Sequence, residues 1–164
     1  MIMGFVDRVV RGFGYLSAAA LVVLVLLVVY DAAMRYLFQS GSIALQELEW
    51  HLFDVVILLG IAYTLRENVH VRVDIFYDRF SPQRQALVNL LGTLFFILPF
   101  SVLIIYVGYD FVLLSFEQME SSSNPGGLPY RYIVKALMPL AFILLALQAV
   151  AEVVKAYNAL KGKQ

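Results

Sequence analysis

Four long apolar stretches, separated by shorter polar segments, fill most of this chain. They cover residues 12–30, about 45–65, 86–109 and about 133–151. Roughly 20 apolar residues in a helix cross about 30 Å of hydrocarbon, so each stretch predicts one transmembrane helix. The predicted fold class is an all-α membrane protein, with the four helices forming a single domain.

Local signals refine this picture at the helix ends. Ser81 followed by Pro82 predicts the N-cap and first residue of the third helix, and Pro99 predicts a kink near its centre. A short amphipathic segment precedes the first span, and its apolar arc consists of Phe5, Val6, Val9, Val10 and Phe13. That arc suggests either an interfacial helix or an ordinary solvated lead-in.

Two connections have distinct sequence patterns. Residues 69–75 alternate apolar and polar with period two, but a lone strand has no ladder to join, so an extended or irregular segment is expected. Residues 121–129 are rich in Ser, Asn, Pro and Gly and predict a loop.

Basic residues sit in alternate gaps between the spans. Nine of the 12 fall on one predicted side: Arg8, Arg11, Arg66, Arg72, Arg79, Arg84, Lys155, Lys161 and Lys163. The other side has Arg35, Arg131 and Lys135. Because Lys and Arg are retained on the cytoplasmic side of membranes, both termini and the middle loop are predicted to be cytoplasmic.

Composition supports a membrane protein and excludes several other classes. The chain is 62% hydrophobic, well above the roughly 45–50% typical of soluble domains. Its net charge is zero and no basic patch lies outside the membrane flanks, so nucleic-acid binding is not expected. It has no cysteine and no catalytic motif, so we expect no disulfide, no catalytic residue, no bound cofactor and no enzyme activity.

Ionisable residues cluster in the first half of the second span. Glu47, His51 and Asp54 follow i, i+4, i+7 spacing and share one helix face, whereas Glu49 points the opposite way. The only other histidine, His70, is predicted at the opposite membrane surface, so no metal site is expected. A proton relay and plain solvation remain alternatives. The favoured interpretation is a polar ridge near the outer mouth that contacts a partner helix, with no charge at the centre of any span.

Four sequence segments together resemble a known family. They are Leu-Gln-Glu-Leu-Glu-Trp-His at 45–51, Leu-Leu-Gly-Ile-Ala-Tyr at 58–63, His-Val-Arg-Val-Asp at 70–74 and Pro-Gly-Gly-Leu-Pro at 125–129. In their order along four spans, they resemble the small membrane subunit of tripartite ATP-independent periplasmic (TRAP) transporters. The resemblance covers nearly the whole chain.

This resemblance implies a sodium-coupled secondary transporter of the bacterial inner membrane. A soluble periplasmic binding protein captures an organic acid, and a large multi-span subunit binds sodium and substrate and transports them. The small subunit scaffolds the large one within the lipid and needs no cofactor of its own. Because this chain stops at Gln164, its large partner is expected to be a separate polypeptide.

On this interpretation three groups of residues are assigned roles. The predicted partner interface consists of Glu47, Glu49, His51 and Asp54. The predicted periplasmic docking loop contains Pro125, Gly126, Gly127, Leu128 and Arg131. The predicted cytoplasmic turn is organised by Arg66, Arg72 and Asp74.

Two other classes remain as alternatives. A self-assembling small multidrug exporter also has four short helices, but it needs a carboxylate deep in its first span, and residues 12–30 contain none. A membrane anchor of a respiratory enzyme would be recognised by haem or by a redox subunit, although His51 and His70 are too far apart to ligate one haem together.

Overall fold

The computed structural model describes residues 2–67, 77 and 79–161. The helices are α1 (Ile2–Phe38), α2 (Ile43–Arg66), α3 (Pro82–Gly92), a π-helical turn (Thr93–Ile97), α4 (Leu98–Glu117), α5 (Arg131–Lys135) and α6 (Leu137–Leu160). Within these described ranges there is no strand. Four helical stretches there are long and apolar enough to cross a membrane: Gly4–Phe38, Ile43–Arg66, Pro82–Glu117 and Arg131–Leu160. The predicted all-α fold with four transmembrane helices is confirmed.

Helix α1 runs well beyond the predicted span without a break. Its first turns carry the amphipathic segment, and Val10 is buried against Leu59 of α2 and Leu144 of α6. Val6 and Phe13 pack beside it. Most of the apolar arc therefore contacts protein, an outcome that neither the interfacial nor the solvated interpretation anticipated.

Small residues allow α1 and α2 to pack closely. Ser17 Oγ donates a 2.7 Å hydrogen bond to the carbonyl oxygen of Val56. A Cβ atom added to Gly60 would lie 3.1 Å from Ser17 Oγ, and one added to Gly14 would lie 2.5 Å from the ring of Tyr63. Larger side chains at these positions would push the two backbones apart, so the small residues allow α1 and α2 to approach closely at this seam.

A second seam of small residues joins α4 to α6. Ser101, Gly108 and Ser115 are spaced seven residues apart and are all buried on one face of α4. A Cβ atom added to Gly108 would lie 3.1 Å from Met138 and 3.5 Å from Pro139. Small residues thus allow close packing at two contacts in the bundle, one between α1 and α2 and one between α4 and α6.

The third span begins as predicted and is irregular near its middle. Ser81 is the N-cap residue of α3 and Pro82 follows it, although the Ser81 side chain makes no capping hydrogen bond. The five residues of the π-helical turn immediately precede the start of α4, where Pro99 lies. Because proline lacks an N–H donor, a locally widened turn accommodates the missing backbone bond.

Helix α6 is the central element of the bundle. It packs against α1, α2, α3, α4 and α5, and 39% of its apolar stretch is buried, compared with 11% to 17% in the other spans. Asp7 of α1 and Lys155 of α6 are 3.4 Å apart, so the first turns of α1 and the last turns of α6 meet at one end of the bundle. We call this the basic end, and we call the opposite end, where the α4–α5 connection lies, the loop end. The alternating segment 69–75 and His70 lie outside the described residues.

Enlarging a glycine at the α1–α2 seam should destabilise the bundle. We expect Gly14→Leu to lower the free energy of unfolding by about 1–3 kcal/mol, the usual effect of overpacking, because the new side chain clashes with Tyr63. Gly12→Leu is the matched control, since no atom lies within 4 Å of a Cβ placed there. Thermal unfolding of both variants in mild detergent measures the effect, and equal melting temperatures would contradict the assignment of this seam.

Candidate functional site

At the loop end, the carboxylate of Glu47 holds the α4–α5 connection. Ser122 Oγ and Asn124 Nδ2 donate to Glu47 Oε1, the latter at 3.2 Å, and the Leu128 N–H donates to Oε2 at 2.7 Å. Hydrogen bonds to an ionised carboxylate are roughly twice as strong as neutral ones. Glu47, which was predicted on a partner-facing ridge, therefore has its acceptors engaged within the chain.

The glycines of the Pro-Gly-Gly-Leu-Pro stretch make this contact possible. Gly126 has a φ of +80°, a left-handed conformation that glycine adopts without strain. A Cβ atom at Gly127 would lie 2.8 Å from Glu47 Oε2, closer than real Cβ atoms approach other atoms. The distinctive sequence of this loop thus fits it around one carboxylate of α2.

A second carboxylate, Glu120, fixes the other side of the same loop. It accepts hydrogen bonds from Lys135 Nζ and, at 2.6 Å, from Ser115 Oγ, while its backbone carbonyl accepts from the Arg131 N–H at 2.9 Å. The hydrogen bond from Lys135, followed by that from Ser115, lowers the pKa of Glu120 below its ordinary value of 4.5. Sequence reasoning did not single out Glu120.

The end of the loop has an unusual backbone. Tyr130 precedes α5 with a φ of +61°, in the left-handed region that bulky residues rarely adopt. Its ring contacts Tyr132 edge-on at a centroid distance of 5.9 Å, and Tyr132 contacts Phe116 at 5.2 Å. Such conformations persist only where the surrounding contacts stabilise them.

At the basic end, charged residues from three spans meet. Asp7 Oδ1 of α1 lies 3.7 Å from Arg66 Nε of α2 and 3.4 Å from Lys155 Nζ of α6. Arg66 also pairs with the neighbouring Glu67. Arg66 therefore belongs to a network between helices, whereas Arg72 and Asp74, its predicted companions in the cytoplasmic turn, lie outside the described residues.

A buried glutamine completes this network. Gln148 is fully buried, and its Nε2 donates to Glu152 Oε1 at 2.8 Å and to Asp7 Oδ1 at 3.4 Å. Lys155 also binds Glu152 at 2.8 Å. Sequence reasoning missed this cluster, although Gln148, Glu152 and Lys155 share one face of α6 through i, i+4, i+7 spacing.

A cavity of about 660 Å³ opens beside this network, between α2, α3 and α6. Arg66 and Lys155 line it together with Glu152 and the polar residues Gln85 and Asn89. The charged lining therefore has both signs, with two cationic side chains and one carboxylate. Across the described ranges of the chain, no group of three or more His, Asp or Glu side chains is arranged to hold a metal ion.

The second span carries an ionisable residue at its midpoint. Asp54 lies about 17 Å from the first residue of α2 and about 18 Å from the last, at 1.5 Å per residue. The hydrogen bond between Ser17 and Val56 brings this level of α2 beside the uncharged run of α1. Asp54 therefore lies midway along this helical stretch, whereas Glu47 lies near its start. The position of these residues near the outer mouth of the membrane stays a prediction.

The four ionisable residues predicted as an interface do not act as one group. Glu47 binds the loop, and Glu49 has its Oε1 buried without a hydrogen-bond partner. His51 and Asp54 are partly exposed. Among the residues that the structure describes, no hydrogen bond or ion pair reaches Asp54. Their role at a partner interface stays a prediction.

Removing the Glu47 carboxylate should release the loop. In Glu47→Ala we expect the backbone amide of Leu128 to exchange with deuterium about 10- to 100-fold faster, because a hydrogen bond to a charged group contributes roughly 1.5–3 kcal/mol. Glu117→Ala, which removes an exposed carboxylate nearby on α4, is the control. Unchanged exchange at Leu128 would show that Glu47 does not hold the loop.

A family model and a curated relative match this chain, and both point to the same kind of transporter subunit. Residues 24–159 match the family described as Tripartite ATP-independent periplasmic transporters, DctQ component. A Haemophilus influenzae protein with the provisional name TRAP transporter small permease protein is 25% identical over 136 residues, which cover 82% of each chain. With its four candidate spans, the protein is a multi-pass protein of the inner membrane. The chain belongs to the DctQ component family of tripartite ATP-independent periplasmic transporters, as a small permease subunit.

Proposed function

We propose that this chain is the scaffold subunit of a sodium-coupled transporter that imports an organic acid delivered by a periplasmic binding protein. The family match over residues 24–159 is the observation that carries the proposal, since membership implies a large membrane subunit and a periplasmic partner. On this proposal sodium and substrate bind the large subunit. The small subunit catalyses no reaction and binds no cofactor.

The internal contacts of the bundle support a scaffolding role. At the basic end Asp7, Arg66 and Lys155 link three spans, and at the loop end Glu47 and Glu120 hold the connection between α4 and α5. Such a bundle resists deformation. A rigid lipid-embedded support is what a moving transport subunit requires.

The proposed orientation follows the distribution of basic residues. With the basic end in the cytoplasm, nine of the 12 Lys and Arg residues are cytoplasmic, as the positive-inside rule favours. The loop end then faces the periplasm. The Glu47-bound loop is accordingly exposed to the binding protein.

We assign periplasmic docking to the α4–α5 connection, with Pro125, Gly126, Gly127, Leu128 and Arg131 as contact residues. Its backbone is already ordered by Glu47 and Glu120, so little conformational entropy is lost on binding. Of the predicted partner interface, His51 and Asp54 are partly exposed and suited to direct contact. Glu47 instead binds the loop of its own chain.

Affinity purification of the tagged chain in mild detergent tests the proposal. We expect a large hydrophobic membrane protein to accompany it, and we expect sodium-driven uptake of an organic acid in vesicles only when this companion and the binding protein are both present. Transport by the purified chain alone would favour a small multidrug exporter. Haem absorbance or a copurifying redox subunit would favour a respiratory anchor.

A charge placed in the loop should impair docking. We expect Leu128→Asp to weaken capture of the binding protein by the purified membrane complex at least about tenfold, equivalent to about 1.4 kcal/mol, because a carboxylate would be buried in the contact. Ser40→Asp, in the α1–α2 connection at the same end, is the control. If both variants bind the protein as wild type does, the docking assignment is wrong.

A further inference from the structure

We infer that Asp54 binds a hydrogen-bond donor side chain on a transmembrane helix of the large subunit, at mid-depth in the bilayer. The outward face of α2 around Asp54 would then be the contact surface. This inference rests on the proposed function, because it requires a large membrane partner. It specifies which helix meets that partner and the chemistry of the contact.

The depth of Asp54 is fixed by two independent features. It lies midway along α2, between Ile43 and Arg66. Ser17 of α1 is bonded to Val56, two residues from Asp54, and the chain directions are opposite, so α1 residues a few positions after Ser17 lie level with Asp54. Those residues occupy the middle of the uncharged run 12–30. Both features put the carboxylate far from either membrane surface.

A carboxylate at this depth needs a partner that the described part of the chain does not provide. Insertion scales assign about 2.5–3.5 kcal/mol to an aspartate at the centre of a membrane helix, and such residues almost always pair with another polar group. Asp31 follows this rule, because it is fully buried and paired with Arg35. Asp54 is partly exposed, and His51 lies one turn earlier on the same helix. Within the described ranges, no hydrogen bond or ion pair joins Asp54 to His51 or to any other residue.

The surroundings of Asp54 suit a protein contact. Trp50, Phe53 and Ile57 lie within one turn of Asp54 and are 73%, 55% and 52% exposed. A polar group rimmed by large apolar side chains is typical of the central region of an interface, where water is excluded from the polar contact.

Other occupants of this face fit less well. Lipid chains carry no hydrogen-bond donor at mid-depth, so they leave the carboxylate unsatisfied. A second copy of this chain on the same face would form a two-fold contact and bring two Asp54 carboxylates towards each other. A different membrane protein with an Arg, Lys, amide or hydroxyl donor satisfies the site. In this family the large subunit is that protein.

Replacing Asp54 tests the pairing. We expect Asp54→Leu to weaken binding of the large subunit about 3- to 30-fold, the range expected for one hydrogen bond of roughly 0.6–2 kcal/mol between membrane helices. Asp110→Leu, which removes an exposed aspartate from α4, should bind as wild type does. Titration of the purified large subunit against each tagged variant in nanodiscs gives the measurement. The melting temperature of each variant alone verifies its fold.

Cysteine cross-linking tests the surface without removing the carboxylate. The chain has no cysteine, so Phe53→Cys, Ile57→Cys and Phe96→Cys each introduce a single thiol. Phe96 is the control, because it is 75% exposed in the third span, away from α2. We expect a benzophenone attached to the thiol, which on illumination inserts into nearby C–H bonds, to yield adducts with the large subunit at positions 53 and 57 and far fewer at 96.

Three outcomes are distinguishable. Wild-type chain that recovers no large subunit overturns the proposed function, and this inference with it. The inference alone is overturned if the large subunit is recovered but binds wild type and Asp54→Leu with equal affinity, and position 96 cross-links as well as positions 53 and 57. If Asp54→Leu does not fold, the cross-linking decides. More adducts at positions 53 and 57 than at 96 support the inference, and equal yields at all three positions overturn it.

Discussion

Inside the hydrocarbon layer water is absent as a hydrogen-bond partner, so each polar group of a span must be satisfied by protein. Ser17 donates to the carbonyl of Val56 on the next helix, and Ser101 donates to the carbonyl of Ile97 one turn earlier. Both hydroxyls are buried. The hydrogen bond from Ser17 joins α1 to α2, where Gly60 allows the close approach, whereas the bond from Ser101 stays within one helix.

At the two ends of the bundle, ionised side chains satisfy polar groups of other segments. Glu47 and Glu120 bind the α4–α5 connection at one end, while Asp7 joins Arg66 and Lys155 at the other. Each cluster connects segments far apart along the chain. The bundle is therefore braced at both ends of its spans, which suits a subunit proposed to support a moving neighbour.

Asp54 is an exception to this pattern of polar groups satisfied within the chain. The carboxylates of four other residues, Asp7, Asp31, Glu47 and Glu120, bind partners within the chain. Asp54 lies midway along α2, is partly exposed and binds no such partner among the described residues. On our inference, this unsatisfied carboxylate marks where the large subunit binds. The exposed apolar side chains around it, Trp50, Phe53 and Ile57, would then supply the contact area.

The sequence by itself determined the four helices, the start of α3 at Pro82 and the family, because apolar length, capping residues and motif order are local properties. Local spacing also put Glu47, His51 and Asp54 on one face, but it could not assign them different roles. Glu47 meets Leu128 across 81 positions, and Asp7 meets Lys155 across 148. Only the tertiary structure decided those pairs, since packing the helices sets which distant groups come within hydrogen-bond distance. It also left Asp54 without a hydrogen-bond partner among the residues that the structure describes.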